Sequence, residues 1–291
     1  MTKFTKQAAF DTGIGEGVGR LPNFLIVGVQ KGGTTSLAIH LRSHPQAFVP
    51  EKKELRFFDM HYGKGLEWYQ EQFRDAGEAI AVGEATPNYM FDETVRGRMA
   101  SVLPEARLIA ILRDPVARAY SHYWHNRRRG LEPLGFSDAL DAEGERRAEG
   151  DLRTRLRYAY VERGRYFKQL KALARLYPRE ALHIVILDDF KEAPTEIYQG
   201  VLRFLGLNES ILPQDLGVPQ NAFYGFRSQR LRHLGRRLPE RLGNLVARVN
   251  RRPGPYPPMD AIDRKRLGEV YSDDNAKLAS WLGRSLDKWQ S

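Results

Sequence analysis

The chain has 291 residues, 42% of them hydrophobic and 28% charged, an ordinary balance for a soluble globule of one large or two modest domains. It contains no cysteine, which excludes disulfides, thiolate metal sites and cysteine nucleophiles together, and no apolar run nears the ~20 residues of a membrane span. A net charge of +10 favours anionic partners: nucleic acid, an acidic membrane surface, a polyanionic substrate or a highly phosphorylated cofactor.

Residues 1–20 carry glycines and no apolar core of signal-peptide length, so they read as a flexible lead-in, and a cytoplasmic protein is the simple expectation. The first buried strand is expected over 23–29, followed by a glycine turn and a helix over 34–43. A second strand over 79–85 leads to a helix over 92–102, and a third over 107–113 leads to a helix over 115–129. The Glu-, Arg- and Gly-rich stretch 131–157 reads as a surface excursion with one short helix. A helix over about 158–177 precedes the fourth strand, 182–188, and another helix over 194–205 follows it. None of the four strands alternates strictly, as expected when both faces of a parallel strand are covered. The order implies a three-layer α/β/α fold with a central, mostly parallel sheet.

Residues 227–252 hold nine arginines and one glutamate, Glu240, interleaved with Leu and Val. "RRPGPYPP" (251–258) breaks any helix there, and a last amphipathic helix runs from about Asp260 to Trp289. Residues 21–291 are read as one domain with a helical extension from about 227.

The turn "QKGGTTS" (30–36) leaves a strand and opens a helix, the layout of a phosphate-cradling loop. Gly32 and Gly33 allow close backbone approach, Thr34, Thr35 and Ser36 add hydroxyls in the first turn, and Lys31 adds a charge. From Gly28 the spacing fits GxxxxGK[ST], except that Thr34 stands in the lysine's place and Lys31 comes three residues early. No later strand ends in a strong candidate for the magnesium-binding aspartate: arginine comes first in "RLIAILRD", and "LHIVILDD" is weak. A triphosphate hydrolase is disfavoured on both counts.

In "ILRDPVARAYSHYWH" (111–125) a strand ends at Arg113, Asp114 is a good N-cap and Pro115 occupies the first helical position. Ser121 lies two turns beyond Asp114 on the same face, so Arg113 and Ser121 can hold a phosphate by fork and hydroxyl. His122 and His125 share this helix with no third ligand or triad partner in view.

"QKGGTTSL" resembles the 5′-phosphosulfate-binding loop of sulfotransferases that use 3′-phosphoadenosine 5′-phosphosulfate (PAPS), where a lysine precedes the Gly-Gly-Thr-Thr run. The Arg113–Ser121 pattern resembles the same family's 3′-phosphate site. The resemblance implies that Lys31, Gly32, Gly33, Thr34, Thr35 and Ser36 cradle the 5′-phosphate, Lys31 also stabilising the leaving group, and that Arg113 and Ser121 fix the 3′-phosphate. "ERGRYFKQL" (162–170) looks like the family's Gly-x-Tyr turn, and "NAFYGFRSQRLRHL" (221–234) like its late phosphate loop, which adds Arg227. "PEKKELRFFDMHY" (50–62) resembles the Lys-Glu-x-x-Phe-Phe segment of the heparan-sulfate type. That likeness makes Glu54 the general base and places Lys53, Arg56 and Asp59 at the acceptor. "VGEATPNYM" (82–90) resembles the family's Gly-Glu-x-x-Pro-x-Tyr stretch and adds Glu84 and Tyr89 there. Several members of that group carry histidine where Arg56 stands, and an arginine cannot shuttle a proton.

The resemblance thus implies transfer of a sulfuryl group from PAPS, leaving 3′,5′-ADP, to a hydroxyl or amine of a carbohydrate-like or other anionic acceptor. No metal, specific nucleic acid or membrane span is expected. Two alternatives remain open on the residues: an ATP-dependent kinase with a degenerate loop, and a non-enzymatic polyanion binder using the arginine-rich segment.

Overall fold

The computed structural model describes residues 19–52, 54–218, 224–226, 228, 231, 238–254 and 256–289. Lys53, Arg227 and residues 1–18 lie outside them, and so does most of 227–237. Five parallel strands form the central sheet in the order β2-β3-β1-β4-β5. They are β1 (Phe24–Gly28), β2 (Ala47–Phe48), β3 (Ala81–Ala85), β4 (Arg107–Leu112) and β5 (Leu182–Ile186). Every residue of β1 and β3 is buried, which is why their sequences run apolar without alternation.

Successive residues nonetheless face opposite layers. Leu25 and Val27 of β1, with Leu108 and Leu112 of β4, pack with helices α3 (Glu93–Val102) and α8 (Tyr166–Leu173) and with the C-terminal helix α12 (Ala261–Leu282). Phe24 and Ile26, with Ile109 and Ile111, pack on the other side against α1 (Thr34–Arg42) and α10 (Pro194–Leu205). A third cluster seats α4 (Pro115–Arg129) through Val116, Ala119, Tyr120 and Tyr123 against Leu267 and Tyr271 of α12. β1 has β3 on one side and β4 on the other, so the chain reverses direction across the sheet beside β1's carboxyl end. Open α/β sheets place ligands in that crevice.

Three expectations change. The excursion 131–157 contains three short helices, not one: α5 (Phe136–Asp141), α6 (Glu143–Glu149) and α7 (Leu152–Tyr158), the last capped by Asp151, which accepts from Thr154 N–H at 2.7 Å. The helix expected over 158–177 is interrupted, and α8 covers only 166–173 of it. The chain leaves helix after Tyr158 and makes a 3₁₀ turn over Glu162–Gly164; at Gly164 a Cβ would lie 2.6 Å from Tyr271 Oη, so the backbone passes too close to α12 for a side chain. The fourth strand stops at Ile186, and Leu187 opens α9 (Leu187–Glu192). Between α1 and β3 the chain adds α2 (Leu66–Glu71), and α11 (Glu240–Asn250) lies between the strands of an antiparallel pair, β6 (Tyr224–Phe226) and β7 (Arg251–Pro253).

Candidate active site

A cleft of about 670 Å³ opens at the carboxyl end of β1, and Lys31, Glu54, Arg56, Arg113 and Ser121 all line it. These residues come from three loops and one helix, separated by up to 90 positions in sequence. The described chain has three non-glycine residues with positive φ: Lys31 at 73°, Glu54 at 58° and Arg56 at 57°. All three line this cleft. Left-handed backbone at non-glycine residues costs on the order of 1–3 kcal/mol each and persists where the surroundings enforce it, commonly at functional sites.

The first loop is held against β4. Val29 N–H donates to Ile111 O at 2.9 Å, and Gly32 N–H donates back to Val29 O at 2.9 Å. A Cβ on Gly32 would sit 2.5 Å from Ile111 O, so this glycine serves close packing, and its N–H points into the turn. Gly32 N–H donates to Val29 O inside the turn, while Gly33, Thr34, Thr35 and Ser36 line the cleft. Gly33, at φ 101°, caps α1 without a side chain. α1 opens directly after this turn, on Thr34 and Thr35. Its dipole end faces the cleft, with Thr34, Thr35 and Ser36 around it.

The second stretch is built as its sequence suggests. Asp114 caps α4, accepting from Val116 and Ala117 N–H at 3.0 and 3.1 Å, with Pro115 in the first turn. Arg113 directs its guanidinium to Lys31 O at 3.4 Å, and its own carbonyl accepts from Tyr166 Oη at 2.9 Å. The Gly-x-Tyr turn of 162–170 therefore buttresses the 3′-phosphate candidate from behind. Ser121 shares the cleft with His125, Arg128 and Arg129, which follow it at i+4, i+7 and i+8 on one helix face. That spacing could have revealed the two arginines in sequence. His122 faces inward instead. It is fully buried, and desolvation followed by the Arg118 and Arg163 charges holds it well below the usual imidazole range.

The third segment carries Glu54 and Arg56 into a π-helical turn, Phe57–His61, in which His61 N–H reaches Arg56 O. Such turns are rare and frequent at functional sites. Arg56 pairs with buried Asp59 through Nε at 3.1 Å and Nη2 at 2.8 Å. Asp59 also accepts from Asn88 Nδ2 at 3.2 Å, and Asn88 in turn accepts from Arg163 Nη2 at 2.6 Å. Arg163 is buried completely, and desolvation, then the charge of Arg118, lowers its pKa to about 9.

Three acceptor candidates are therefore displaced from the surface. Asp59, at 5% exposure, braces Arg56 and does not line the cleft. Glu84 and Tyr89, at 2% and 0%, lie beneath it, their side chains joined at 2.7 Å. The alternation of β3 explains this placement: Val82, two residues earlier on the same face, packs into the core.

Six cationic side chains face the cleft (Lys31, Arg56, Arg113, Arg128, Arg129 and Lys191), and Glu54 is the one carboxylate among the described lining residues. Leu187 and Phe190 of α9, with Val218 and Tyr256 from two other segments, supply apolar and aromatic lining that sequence reading missed. A helix terminus, hydroxyls, clustered cations and an aromatic wall suit a nucleotide with more than one phosphate. Among the described residues there is no group of His, Asp or Glu arranged to hold a metal ion, and no helix long and apolar enough to cross a membrane.

Fold and cleft together define a nucleotide-anion site of the kind built on a P-loop-like turn. Comparison with known proteins narrows that class. The family described as "Sulfotransferase domain" matches residues 21–218, and the chain belongs to this family. The chain is 31% identical over 282 residues to the bifunctional heparan sulfate N-deacetylase/N-sulfotransferase 3 of Mus musculus, covering 93% of this chain. It is likewise 31% identical to the Homo sapiens protein of that name over 285 residues. It spans 31% of the length of each of these relatives, under a third of the whole. Among solved structures, a sulfotransferase from Alicyclobacillus acidocaldarius superimposes with a TM-score of 0.72 at 25% identity, covering 94% of this chain and 100% of that one. Neither the kinase nor the polyanion-binder alternative finds support in these likenesses.

Proposed function

We propose that this chain transfers a sulfuryl group from PAPS to a hydroxyl or amine of a carbohydrate-like acceptor, with Glu54 as general base. The observation that carries the reading is the convergence on one cleft of Lys31, the Arg113–Ser121 pair and Glu54, each from a separate segment. The fit to PAPS rests on the chemistry of that set. The α1 terminus with Lys31 suits a 5′-phosphate, Arg113 with Ser121 suits a 3′-phosphate, and the Leu187–Phe190–Tyr256 wall suits an adenine ring.

Bound PAPS supplies a sulfuryl group whose bond to the 5′-phosphate oxygen breaks as the acceptor's oxygen or nitrogen bonds to sulfur. Glu54 takes the acceptor's proton at a carboxylate oxygen. Lys31 holds positive charge at the turn, where negative charge develops on the 5′-phosphate. Arg56, fixed by Asp59, presents a permanent cation beside Glu54, suited to orienting an anionic acceptor and unable to relay a proton. As in phosphoryl transfer, positioning and electrostatics supply most of such catalysis. Likeness to the heparan sulfate N-deacetylase/N-sulfotransferases supports a saccharide acceptor and brings an amine into the acceptor class.

Sulfur-35-labelled PAPS offered with a panel of N-deacetylated and O-unsubstituted saccharides tests this reading. Label transferred to a saccharide is the expected result. Label returned only as inorganic sulfate, across the whole panel, would remove the saccharide from the proposal.

A further inference from the structure

We propose that Glu84 is a positioning residue of this cleft: from below, it holds the Arg56–Phe58 stretch, which follows Glu54, in place through two hydroxyl relays, Thr86 and Tyr89. The inference rests on the reading of Glu54 as the base. The Glu84 carboxylate accepts from Tyr89 Oη at 2.7 Å and Tyr69 Oη at 3.1 Å on one oxygen, and from Thr86 Oγ1 at 2.6 Å on the other. Two of those hydroxyls also accept backbone N–H groups from the segment above. Arg56 N–H donates to Thr86 Oγ1 at 3.2 Å, and Phe58 N–H donates to Tyr89 Oη at 3.4 Å. One buried carboxylate thus reaches, through two side chains, both ends of the Arg56–Phe58 stretch.

The direction of the protons makes the carboxylate the organising group. A hydroxyl has a single proton. When Thr86 and Tyr89 donate theirs to Glu84, their lone pairs are left to face the backbone N–H groups, and chained bonds of this kind strengthen one another. An apolar side chain would pack β3 equally well, whereas a buried carboxylate carries a desolvation penalty that packing alone does not require. The backbone so held begins at Arg56, left-handed at φ 57° and two residues after the left-handed Glu54, a conformation that L residues rarely adopt.

Burial raises Glu84 to about 7, a rise added to by the charge of Asp59 and opposed by the bonds from Thr86, Tyr89 and Tyr69. These four groups are the polar ones that face it. From β1 it is flanked by Leu25, which is apolar. A protonated Glu84 would donate at one oxygen, and the hydroxyl it meets would still have a lone pair for the backbone N–H above it.

The experiment compares Thr86→Val, Thr86→Ser and Glu84→Gln with the unaltered chain, reading kcat, KM for PAPS, affinity for 3′,5′-ADP, and amide hydrogen exchange over residues 54–61. The expected result for Thr86→Val is a kcat lower by about tenfold, with KM for PAPS and 3′,5′-ADP affinity unchanged and with faster exchange over 54–61. Thr86→Ser, which keeps the hydroxyl, restores both. Glu84→Gln, which puts an amide donor where both oxygens accept, is expected to lower kcat and speed exchange over 54–61 in the same direction. Exchange and kcat like those of the unaltered chain in both Thr86→Val and Glu84→Gln would overturn the proposal. If no variant, nor the unaltered chain, transfers sulfuryl groups, exchange over 54–61 still decides the clamp, and the failure falls on the proposed reaction alone.

Discussion

The Arg113 guanidinium donates to the backbone carbonyl of Lys31 at 3.4 Å, which ties the two anion-binding stretches to each other across 82 residues of sequence. A side chain that organises the lysine's turn and also faces the cleft should affect both halves of a bisphosphate ligand. Arg113→Ala is expected to weaken 3′,5′-ADP binding by about ten- to a hundredfold, the range for losing charge-assisted bonds, as read by calorimetry. Arg113→Lys should recover little of it, because an ammonium lacks the planar fork.

Glu54 is the one carboxylate among the described residues lining the cleft. Glu54→Gln keeps the shape and the hydrogen-bonding reach and removes the base. Transfer from labelled PAPS is expected to fall by about 10²–10⁴ in kcat, with 3′,5′-ADP affinity unchanged. Retained turnover would move the base elsewhere.

Gly32 tests the packing role separately from ligand binding. Alanine there places a methyl group 2.5 Å from Ile111 O, a backbone atom in β4 that cannot step aside cheaply. Urea unfolding of Gly32→Ala is expected to show a loss of about 1–3 kcal/mol, an overpacking cost.

Glu84 gives stability a pH dependence of defined sign. Its folded-state value of about 7 lies above the ordinary 4.5, so between these the folded chain holds a proton that the unfolded chain has released. The contribution is fully present below about pH 4.5 and is lost as pH rises through 7, amounting to at most about 3 kcal/mol. Subtracting the unfolding free energy of Glu84→Gln from that of the unaltered chain at pH 5 and pH 8 isolates it. The difference should be larger at pH 5.

The sequence made the scaffold legible where local chemistry decides it. Asp114 and Pro115 announced the start of α4, and the glycine turn after β1 announced the anion site. What escaped was decided by tertiary neighbours. In the stretch that interrupts the expected helix, Gly164 packs against Tyr271, 107 positions away, a contact no local pattern carries. β2 is a two-residue strand, too short to have a period. Motif likeness put Glu84 and Tyr89 at the acceptor, whereas the two-residue period of β3 buries Glu84 on the face of Val82. The apolar and aromatic lining was invisible for another reason: Leu187, Val218 and Tyr256 come from three segments that meet only around the cleft.

The central claim is a cleft with separate sites for a 5′-phosphate and a 3′-phosphate. Thermal unfolding without added metal, in the presence of 3′,5′-ADP or of 5′-ADP at equal concentration, measures it directly. Stabilisation follows RT ln(1 + [L]/Kd), so a tenfold tighter ligand at saturating concentration adds about 1.4 kcal/mol. A clearly larger rise in Tm with 3′,5′-ADP is the result the Arg113–Ser121 site requires. Equal shifts with the two nucleotides would contradict it.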